Sequence, residues 1–165
     1  MDQTQLQLGN QICFPIYSAS RLITKAYKPH LDKLGLTYPQ YLVLLVLWEN
    51  DGQTVNQISE KLHLNTNTIS PLLKRMERIK LLNRNRSKTD ERSVIIELTE
   101  AGKELHTQAL PIPQKLFDEI ISNKIQLDDI LRLKDTLCEL VSVLSYKDCP
   151  SEKGEAQLKK KKTIT

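Results

Sequence analysis

The chain has 165 residues, of which 39% are hydrophobic and 27% are charged, and its formal net charge is +4. This composition is typical of a soluble globular protein. No apolar run approaches the roughly 20 residues that a membrane-spanning helix needs, and the N-terminus lacks the basic region and apolar core of a signal peptide. We therefore expect a cytoplasmic protein without a membrane partner, with one domain over residues 1–147 and a disordered basic tail over 148–165.

The sequence lacks the residue spacings that build metal, nucleotide or hydrolase sites. It has no Cys-x-x-Cys pair and its histidines are isolated, so we expect no metal. It also has no Gly-rich phosphate loop and no nucleophile elbow. Three cysteines, an odd number in a reducing compartment, do not predict a disulfide framework. We expect neither a cofactor nor an enzymatic activity.

Two helices are predicted in the N-terminal third. The first covers about residues 11–34, and Pro15 fits only in its first turn, which places its start near Ile12 and puts Cys13 at the N-terminus. The positive end of the helix dipole favours a thiolate there. Thr37 is the candidate N-cap of the second helix, which is nearly all apolar up to about Glu49 and is predicted to be a buried core helix.

A short helix and a longer amphipathic helix follow. Thr54 is the candidate cap of the short helix, which ends near Leu62, and the longer helix covers Asn65–Ile79. Pro71 interrupts the longer pattern, so we expect a late start near Asn67 or a slight bend. The predicted inner face consists of Ile69, Leu72, Leu73, Met76 and Ile79. The opposite, polar face carries Asn67, Ser70, Lys74, Arg75 and Arg78.

Two strands are predicted next, over residues 81–86 and 93–98, joined by a polar loop. Residues 74–92 contain eight basic and three acidic side chains, a net +5 that exceeds the +4 of the whole chain. This asymmetry favours a polyanionic partner. A basic-faced helix followed by a basic hairpin is the plan of a winged helix-turn-helix, in which the helix enters the major groove and the wing reaches the minor groove.

The C-terminal part is predicted to be helical. Thr99 is a candidate N-cap, Pro111 and Pro113 interrupt the helix that it opens, and Asp128 and Asp129 begin a final apolar helix. The predicted inner face of the Thr99 helix consists of Ala101, Leu105 and Ala109. The apolar helices at both ends of the chain exceed what the small winged core needs, which favours a homodimer.

The predicted fold class is therefore mainly α (α+β). A DNA-binding lobe over about residues 50–99 is flanked by dimerisation helices over about 10–34 and 100–146. In such a dimer the two recognition helices address the half-sites of a palindromic double-stranded DNA operator, roughly 34 Å apart.

These elements resemble a known family. The run from Asp90 to Val94, followed by Leu98–Gly102, is similar to the wing and exit motif of the MarR family of winged-helix regulators. Cys13–Tyr17, Tyr27–Pro29 and Leu36–Tyr41, with Trp48 and Glu49, resemble the organic-hydroperoxide-sensing repressors of the OhrR type. The resemblance covers about residues 10–144.

The OhrR resemblance implies a redox mechanism. An organic hydroperoxide oxidises a reactive cysteine whose thiolate accepts hydrogen bonds from two tyrosines of the partner subunit, and oxidation releases DNA. Cys13 matches the cysteine, Tyr27 and Tyr38 match the two tyrosines, and Tyr17 matches a further tyrosine near the pocket. Cys13 and Tyr27 are fourteen residues apart on one predicted helix, about 21 Å along its axis. They cannot touch within one chain while the helix is straight, whereas an antiparallel copy from a second subunit would bring them together.

The other two cysteines do not clearly match a resolving position. Cys138 is interpreted as a core residue of the last helix and Cys149 lies in the predicted tail. A one-cysteine cycle is therefore expected, in which a low-molecular-weight thiol forms a mixed disulfide with oxidised Cys13.

The expected DNA contacts come from motif and helix face. Asn67, Thr68, Ser70 and Lys74 are predicted on the recognition helix. Arg92 is predicted at the wing tip, and Arg86 and Lys88 are predicted to contact phosphates.

Other interpretations stay open. Cys13 is a bystander if the chain is a MarR-type repressor released by a small aromatic ligand, since most free cysteines are small buried hydrophobes. A thiol peroxidase is disfavoured because Arg21, two helical turns away, is the nearest arginine to Cys13 and because the basic wing would have no purpose.

Overall fold

The computed structural model describes residues 3–86, 93–121 and 125–145. Three 3-10 turns, Gln3–Leu6, Leu8–Asn10 and Asp32–Leu34, accompany seven described helices and three described strands. In chain order these are α1 (Cys13–Leu31), α2 (Tyr38–Glu49), β1 (Gln53–Thr54), α3 (Val55–Lys61), α4 (Thr66–Arg78), β2 (Leu82–Arg86), β3 (Val94–Leu98), α5 (Glu100–Ala109), α6 (Ile112–Ile120) and α7 (Leu127–Ser145). Within the described ranges, no helix is long and apolar enough to cross a membrane.

The predicted starts of α1, α2 and α3 are confirmed. Helix α1 begins at Cys13, with Pro15 in its first turn. The backbone N–H of Thr37 donates to Gln40 Oε1 at 2.8 Å, and Thr54 forms a reciprocal pair of hydrogen bonds with Gln57 at 2.8 and 3.2 Å. Each capping box satisfies N–H groups that have no partner within the helix.

Helix α2 is the centre of the first compact unit, which ends at Leu116. Its apolar sequence is explained by burial on several sides, because its neighbours include α1, α3, α4 and α5. The buried members of this helix are Tyr41, Val43, Leu44, Val46 and Leu47. The prediction of a core helix is confirmed.

The strands form an antiparallel sheet in the order β1-β3-β2. The hairpin pairs Leu82 with Leu98 and Arg86 with Val94. Strand β1 was not predicted, because two residues are too few to show an alternating pattern; Gln53 pairs with Ile96 across the sheet.

Two predicted core positions are wrong. Ile79 is 50% exposed because α4 ends at Arg78; Lys80 then adopts a left-handed conformation with φ +60° and turns the chain so that Leu81 is buried instead. Ala101 is exposed, and Gly102 occupies the inner position of α5. A side chain at Gly102 would clash with the carbonyl oxygen of Leu81, so this contact admits only glycine.

The second unit begins at Phe117 and contains α7. Pro111 lies between α5 and α6 and Pro113 is the second residue of α6, so the helix that Thr99 opens is interrupted there, as expected. Asp128 and Asp129 lie in the first turn of α7. None of the residues of α7, all of which the structure describes, is buried. Cys138 is half-exposed, so the prediction that it lies in a core is wrong for the single chain.

Candidate thiol sensor and nucleic-acid interface

Helix α4 presents the predicted DNA-reading side chains to solvent. Its N-cap is Asn65, whose Oδ1 accepts a hydrogen bond from the backbone N–H of Asn67 at 2.9 Å. Asn67, Thr68 and Lys74 are exposed, and Ser70 is half-buried. The opposite face is packed into the core through Ile69, Leu72, Leu73 and Met76. This division leaves a polar, basic surface of the kind that lies in a major groove.

Pro71 is the sixth residue of α4, which begins at Thr66, between the start of the predicted range at Asn65 and the later start near Asn67 that Pro71 suggested. A residue with an N–H at this position would donate to the carbonyl of Asn67, near the beginning of the helix. The loss of a single backbone hydrogen bond is therefore confined to the first turns. Arg75 Nε donates to the carbonyl oxygen of Pro71 at 3.3 Å, which holds this guanidinium against the helix backbone.

The wing strands carry one exposed and one sequestered arginine. Arg86 is exposed at the end of β2, where a phosphate contact is feasible. Arg84 instead pairs with Glu77 of α4 at 3.5 Å, and its side chain is only 19% exposed. Arg84 therefore ties the wing to the recognition helix and does not add to the solvent-facing charge. The predicted contacts Lys88 and Arg92 lie outside the described residues.

Three tyrosines form a cluster between α1 and α2. The ring centroid of Tyr27 lies 5.1 Å from that of Tyr38 and 5.7 Å from that of Tyr41. Burial raises the pKa of each hydroxyl. Electrostatic repulsion from the neighbouring tyrosines raises the pKa further at Tyr27 and Tyr41, and that of Tyr41 reaches about 12. All three are therefore protonated near neutral pH and retain an O–H that is able to donate a hydrogen bond.

Cys13 is the first residue of α1 and is exposed. Cys13 and Tyr27 belong to the same helix, and fourteen residues at 1.5 Å per residue separate them by about 21 Å. One chain does not bring the thiol to the tyrosine cluster. Tyr17, one turn after Cys13, is 58% exposed, and the guanidinium of Arg21 lies 5.6 Å from its ring centroid.

A groove of about 730 Å³ lies beside the tyrosine cluster, between the second half of α1 and the start of α2. Its walls include Leu22, Leu31 and Leu36 as well as Tyr38. Arg21, Lys25 and Lys28 add basic groups. The groove is open to solvent and places Tyr38 within reach of a group approaching from outside the chain.

Comparison with known proteins identifies the family. The family of transcriptional regulators described as SarA/Rot matches residues 25–109 of this chain. The organic hydroperoxide resistance transcriptional regulator of Bacillus subtilis (strain 168) is 46% identical over 143 residues, which are 87% of this chain and 95% of that protein. The chain belongs to the MarR family of winged helix-turn-helix transcriptional regulators. It is of the organic hydroperoxide resistance type, as the sequence motifs predicted.

Solved structures of relatives agree with this assignment. The structure of reduced AbfR bound to DNA superposes on this MarR-family chain with a TM-score of 0.72 at 36% identity, covering 88% of this chain and 98% of AbfR. AbfR of Staphylococcus epidermidis gives a TM-score of 0.68 at 34% identity, with coverages of 87% and 96%. AbfR has also been solved in an overoxidized form bound to DNA and in a disulfide form. These matches confirm the winged-helix fold.

The motifs of this MarR-family chain did not reveal every residue of the site region. Tyr41 was predicted as part of an apolar helix and of the Leu36–Tyr41 motif but without a role in the sensing site, yet it joins the cluster of Tyr27 and Tyr38. Trp48 and Asp51 form long-range hydrogen bonds that no motif predicted. Within the described ranges, no group of three or more His, Cys, Asp or Glu side chains is placed to hold a metal ion.

Proposed function

We propose that this regulator is a homodimeric DNA-binding repressor that is released from its operator when an organic hydroperoxide oxidises Cys13. The observation that carries the proposal is the separation of Cys13 from Tyr27 along α1, combined with the exposure of Cys13 and the contact between the rings of Tyr27 and Tyr38. An antiparallel second copy of α1 brings the thiol of one subunit to the tyrosine pair of the other.

The exposed apolar surface of α1 supports the dimer. Leu31 is the buried residue of this 19-residue helix, and the remainder is at least partly exposed. The larger exposed apolar residues of α1 are Phe14, Ile16, Leu22 and Ile23. A surface of this kind is typical of a helix that a partner covers. Dimerisation also places two copies of α4 to address a palindromic operator.

The proposed chemistry balances without a cofactor. The thiolate of Cys13 attacks a peroxide oxygen, the sulfur–oxygen bond forms and the oxygen–oxygen bond breaks. Sulfur is oxidised to sulfenic acid, and the hydroperoxide is reduced to an alkoxide that takes up a proton to become the alcohol. A low-molecular-weight thiol then condenses with the sulfenic acid to give a mixed disulfide and water.

The hydroxyls of Tyr27 and Tyr38 stabilise the thiolate before it reacts. A phenolic O–H that donates to sulfur favours the charged form. Conversion to sulfenic acid removes that charge, so the hydrogen bonds from the two tyrosines no longer stabilise a thiolate. We infer that this loss moves the helices and separates the two recognition helices from their half-sites.

The test is DNA binding by the purified protein on genomic fragments that include its own promoter region. Wild type, Cys13→Ser and the control Cys138→Ser are each compared with and without cumene hydroperoxide. We expect release of wild type and Cys138→Ser and retention of Cys13→Ser. Retention of all three contradicts redox control and favours the alternative trigger, a small aromatic ligand. Release of all three assigns the switch to another residue.

A further inference from the structure

Helix α2 joins the tyrosine cluster to the base of the wing. Tyr38 and Tyr41 lie in its first turn, and Trp48 lies in its last turn. The indole Nε1–H of Trp48 donates to the carbonyl oxygen of Gly102 at 2.9 Å. Gly102 is in the first turn of α5, four residues after the last residue of the wing strand β3. This hydrogen bond spans 54 residues of sequence and is partly buried.

A second bond follows directly after α2. Asp51 Oδ1 accepts hydrogen bonds from the backbone N–H of Gly52 and from that of Leu98, both at 2.9 Å. Leu98 is the last residue of β3. One carboxylate therefore holds the turn after α2 and the end of the wing together. Hydrogen bonds to charged acceptors are stronger than those between neutral groups.

Aromatic contacts connect these bonds to the tyrosine pair. The ring centroids of Tyr27 and Tyr41 are 5.7 Å apart, and those of Tyr41 and Trp48 are 6.2 Å apart. Tyr41 is only 2% exposed. Close-packed interiors transmit strain because there is little free volume to absorb a displaced ring.

The wing end of this path is also tightly packed. A Cβ at Gly102 would clash with the carbonyl of Leu81, which directly precedes β2. Thr99 Oγ1 accepts from the N–H of Gly102 at 3.1 Å and donates to the carbonyl of Lys80 at 2.7 Å. Gly102, whose carbonyl oxygen accepts the hydrogen bond from Trp48, is thus held against the starts of both β2 and α5.

We propose that Trp48 and Asp51 are positioning residues that couple the tyrosine pair to the wing. A displacement of Tyr27 moves Tyr41 and Trp48, and the two hydrogen bonds carry that movement to Gly102 and Leu98. The inference rests on the proposed function for its biological trigger, since oxidation of Cys13 is what displaces the tyrosines. The coupling itself is a property of the single chain and is testable without DNA or peroxide.

The test is a double-mutant analysis of amide hydrogen exchange in reduced full-length protein. Tyr27→Leu perturbs the tyrosine pair, and exchange is read by NMR at Val94–Glu97, leaving out Leu98 because its amide bonds to Asp51 directly. We expect Tyr27→Leu to speed exchange in β3 about threefold to tenfold in the wild-type background. We expect little further increase when Trp48→Phe, which keeps an aromatic ring but removes the indole N–H, is already present.

Matched control variants distinguish coupling through these two residues from a general loss of stability. Asp51→Asn keeps an oxygen acceptor and should preserve the effect of Tyr27→Leu, whereas Asp51→Ala should abolish it. Glu49→Gln, which removes the exposed ion pair with Lys61, should leave it unchanged. An equal effect of Tyr27→Leu in the wild-type, Trp48→Phe and Asp51→Ala backgrounds overturns the proposal, as does the absence of any effect on β3.

A second experiment, with Cys13 oxidised, tests whether the coupling contributes to DNA release. At equal oxidation of Cys13, measured by mass spectrometry, Asp51→Ala should show about tenfold less loss of DNA affinity than wild type. If wild type is not released by cumene hydroperoxide but the exchange coupling is present, the proposed trigger fails and the coupling stands. If wild type is released and the exchange effects are additive, the trigger stands and the coupling fails.

Discussion

Tyr41 illustrates what a single residue contributes beyond its motif. Tyr41 lies in the apolar run of α2 and is buried, as that run predicts. Its ring also packs against the rings of Tyr27 and Tyr38. Because burial and the neighbouring tyrosines oppose the phenolate, its pKa rises to about 12. The partners that cause this shift come from two helices, so the periodicity of one helix does not reveal them.

The tyrosine cluster predicts a loss of stability at high pH. Since the folded pKa of Tyr41 lies above 10.0, the unfolded chain loses its proton first as the pH rises. The stability contribution is complete below pH 10 and is lost as the pH rises towards 12, and the raised pKa values of Tyr27 and Tyr38 act in the same direction. Urea unfolding at pH 9 and pH 11.5 measures the loss. Tyr41→Phe should reduce it, and an identical loss in that variant would contradict this origin.

Gly102 predicts a second effect at the residue scale. Gly102→Ala places a methyl group against the Leu81 carbonyl, so we expect the free energy of unfolding to fall by about 2 kcal/mol. The neighbouring exposed Ala101 provides the control, because Ala101→Ser should change stability by less than about 0.5 kcal/mol. Denaturant titration of both variants tests the contrast; equal stabilities would mean that α5 shifts to accommodate the methyl group.

The tyrosine hydroxyls predict a kinetic effect. Tyr27→Phe keeps the ring packing and removes one donor to the thiolate of Cys13. We expect oxidation of Cys13 by cumene hydroperoxide to slow about tenfold, the size of one hydrogen bond to a charged group. Tyr17→Phe, at an exposed ring beside Arg21, should slow it less. Mass spectrometry over time measures both rates, and a wild-type rate for Tyr27→Phe would remove this tyrosine from the mechanism.

At the scale of the elements, local sequence patterns predicted the structure most accurately for helices that have a single buried face. The caps at Thr37 and Thr54 and the inner face of α4 followed from spacing alone, because a cap and a 3.6-residue repeat are properties of the helix itself. The prediction that Ile79 is buried is wrong because the apolar repeat of the sequence extends up to the point where Lys80 turns the chain. A left-handed lysine carries no sequence signal comparable to glycine.

Helix α4 predicts how DNA affinity responds to charge. Lys74→Ala removes one exposed cation from the proposed groove-facing surface, so we expect weaker binding to all DNA sequences and a salt slope reduced by about 0.9. Lys103→Ala is the control, because this lysine lies on α5 and pairs with Glu100. Titrations over a range of salt concentrations measure both slopes. A change of equal size in the two variants would show a nonspecific effect of net charge.

At the scale of the whole molecule, the exposed apolar surface of α1 predicts self-association. We expect sedimentation equilibrium to give twice the chain mass of 19.0 kDa for wild type. Ile16→Glu should shift it to the monomer, because a buried unpaired carboxylate is strongly unfavourable. Ile79→Glu, at an exposed apolar residue outside α1 and α7, should keep the wild-type mass. A monomeric wild type would contradict the proposed site, which needs two copies.

The sequence by itself determined the order of the helices, the caps at Thr37, Thr54 and Thr99, the wing strands and the family, because each depends on neighbours within a few residues or on contiguous motifs. Tertiary structure alone decided the pairing of β1 with β3, the inward position of Gly102, and the contacts from Tyr41 to Trp48 and from Asp51 to Leu98. These contacts join residues far apart in the chain. Their geometry follows from packing of several elements at once, which no local pattern encodes.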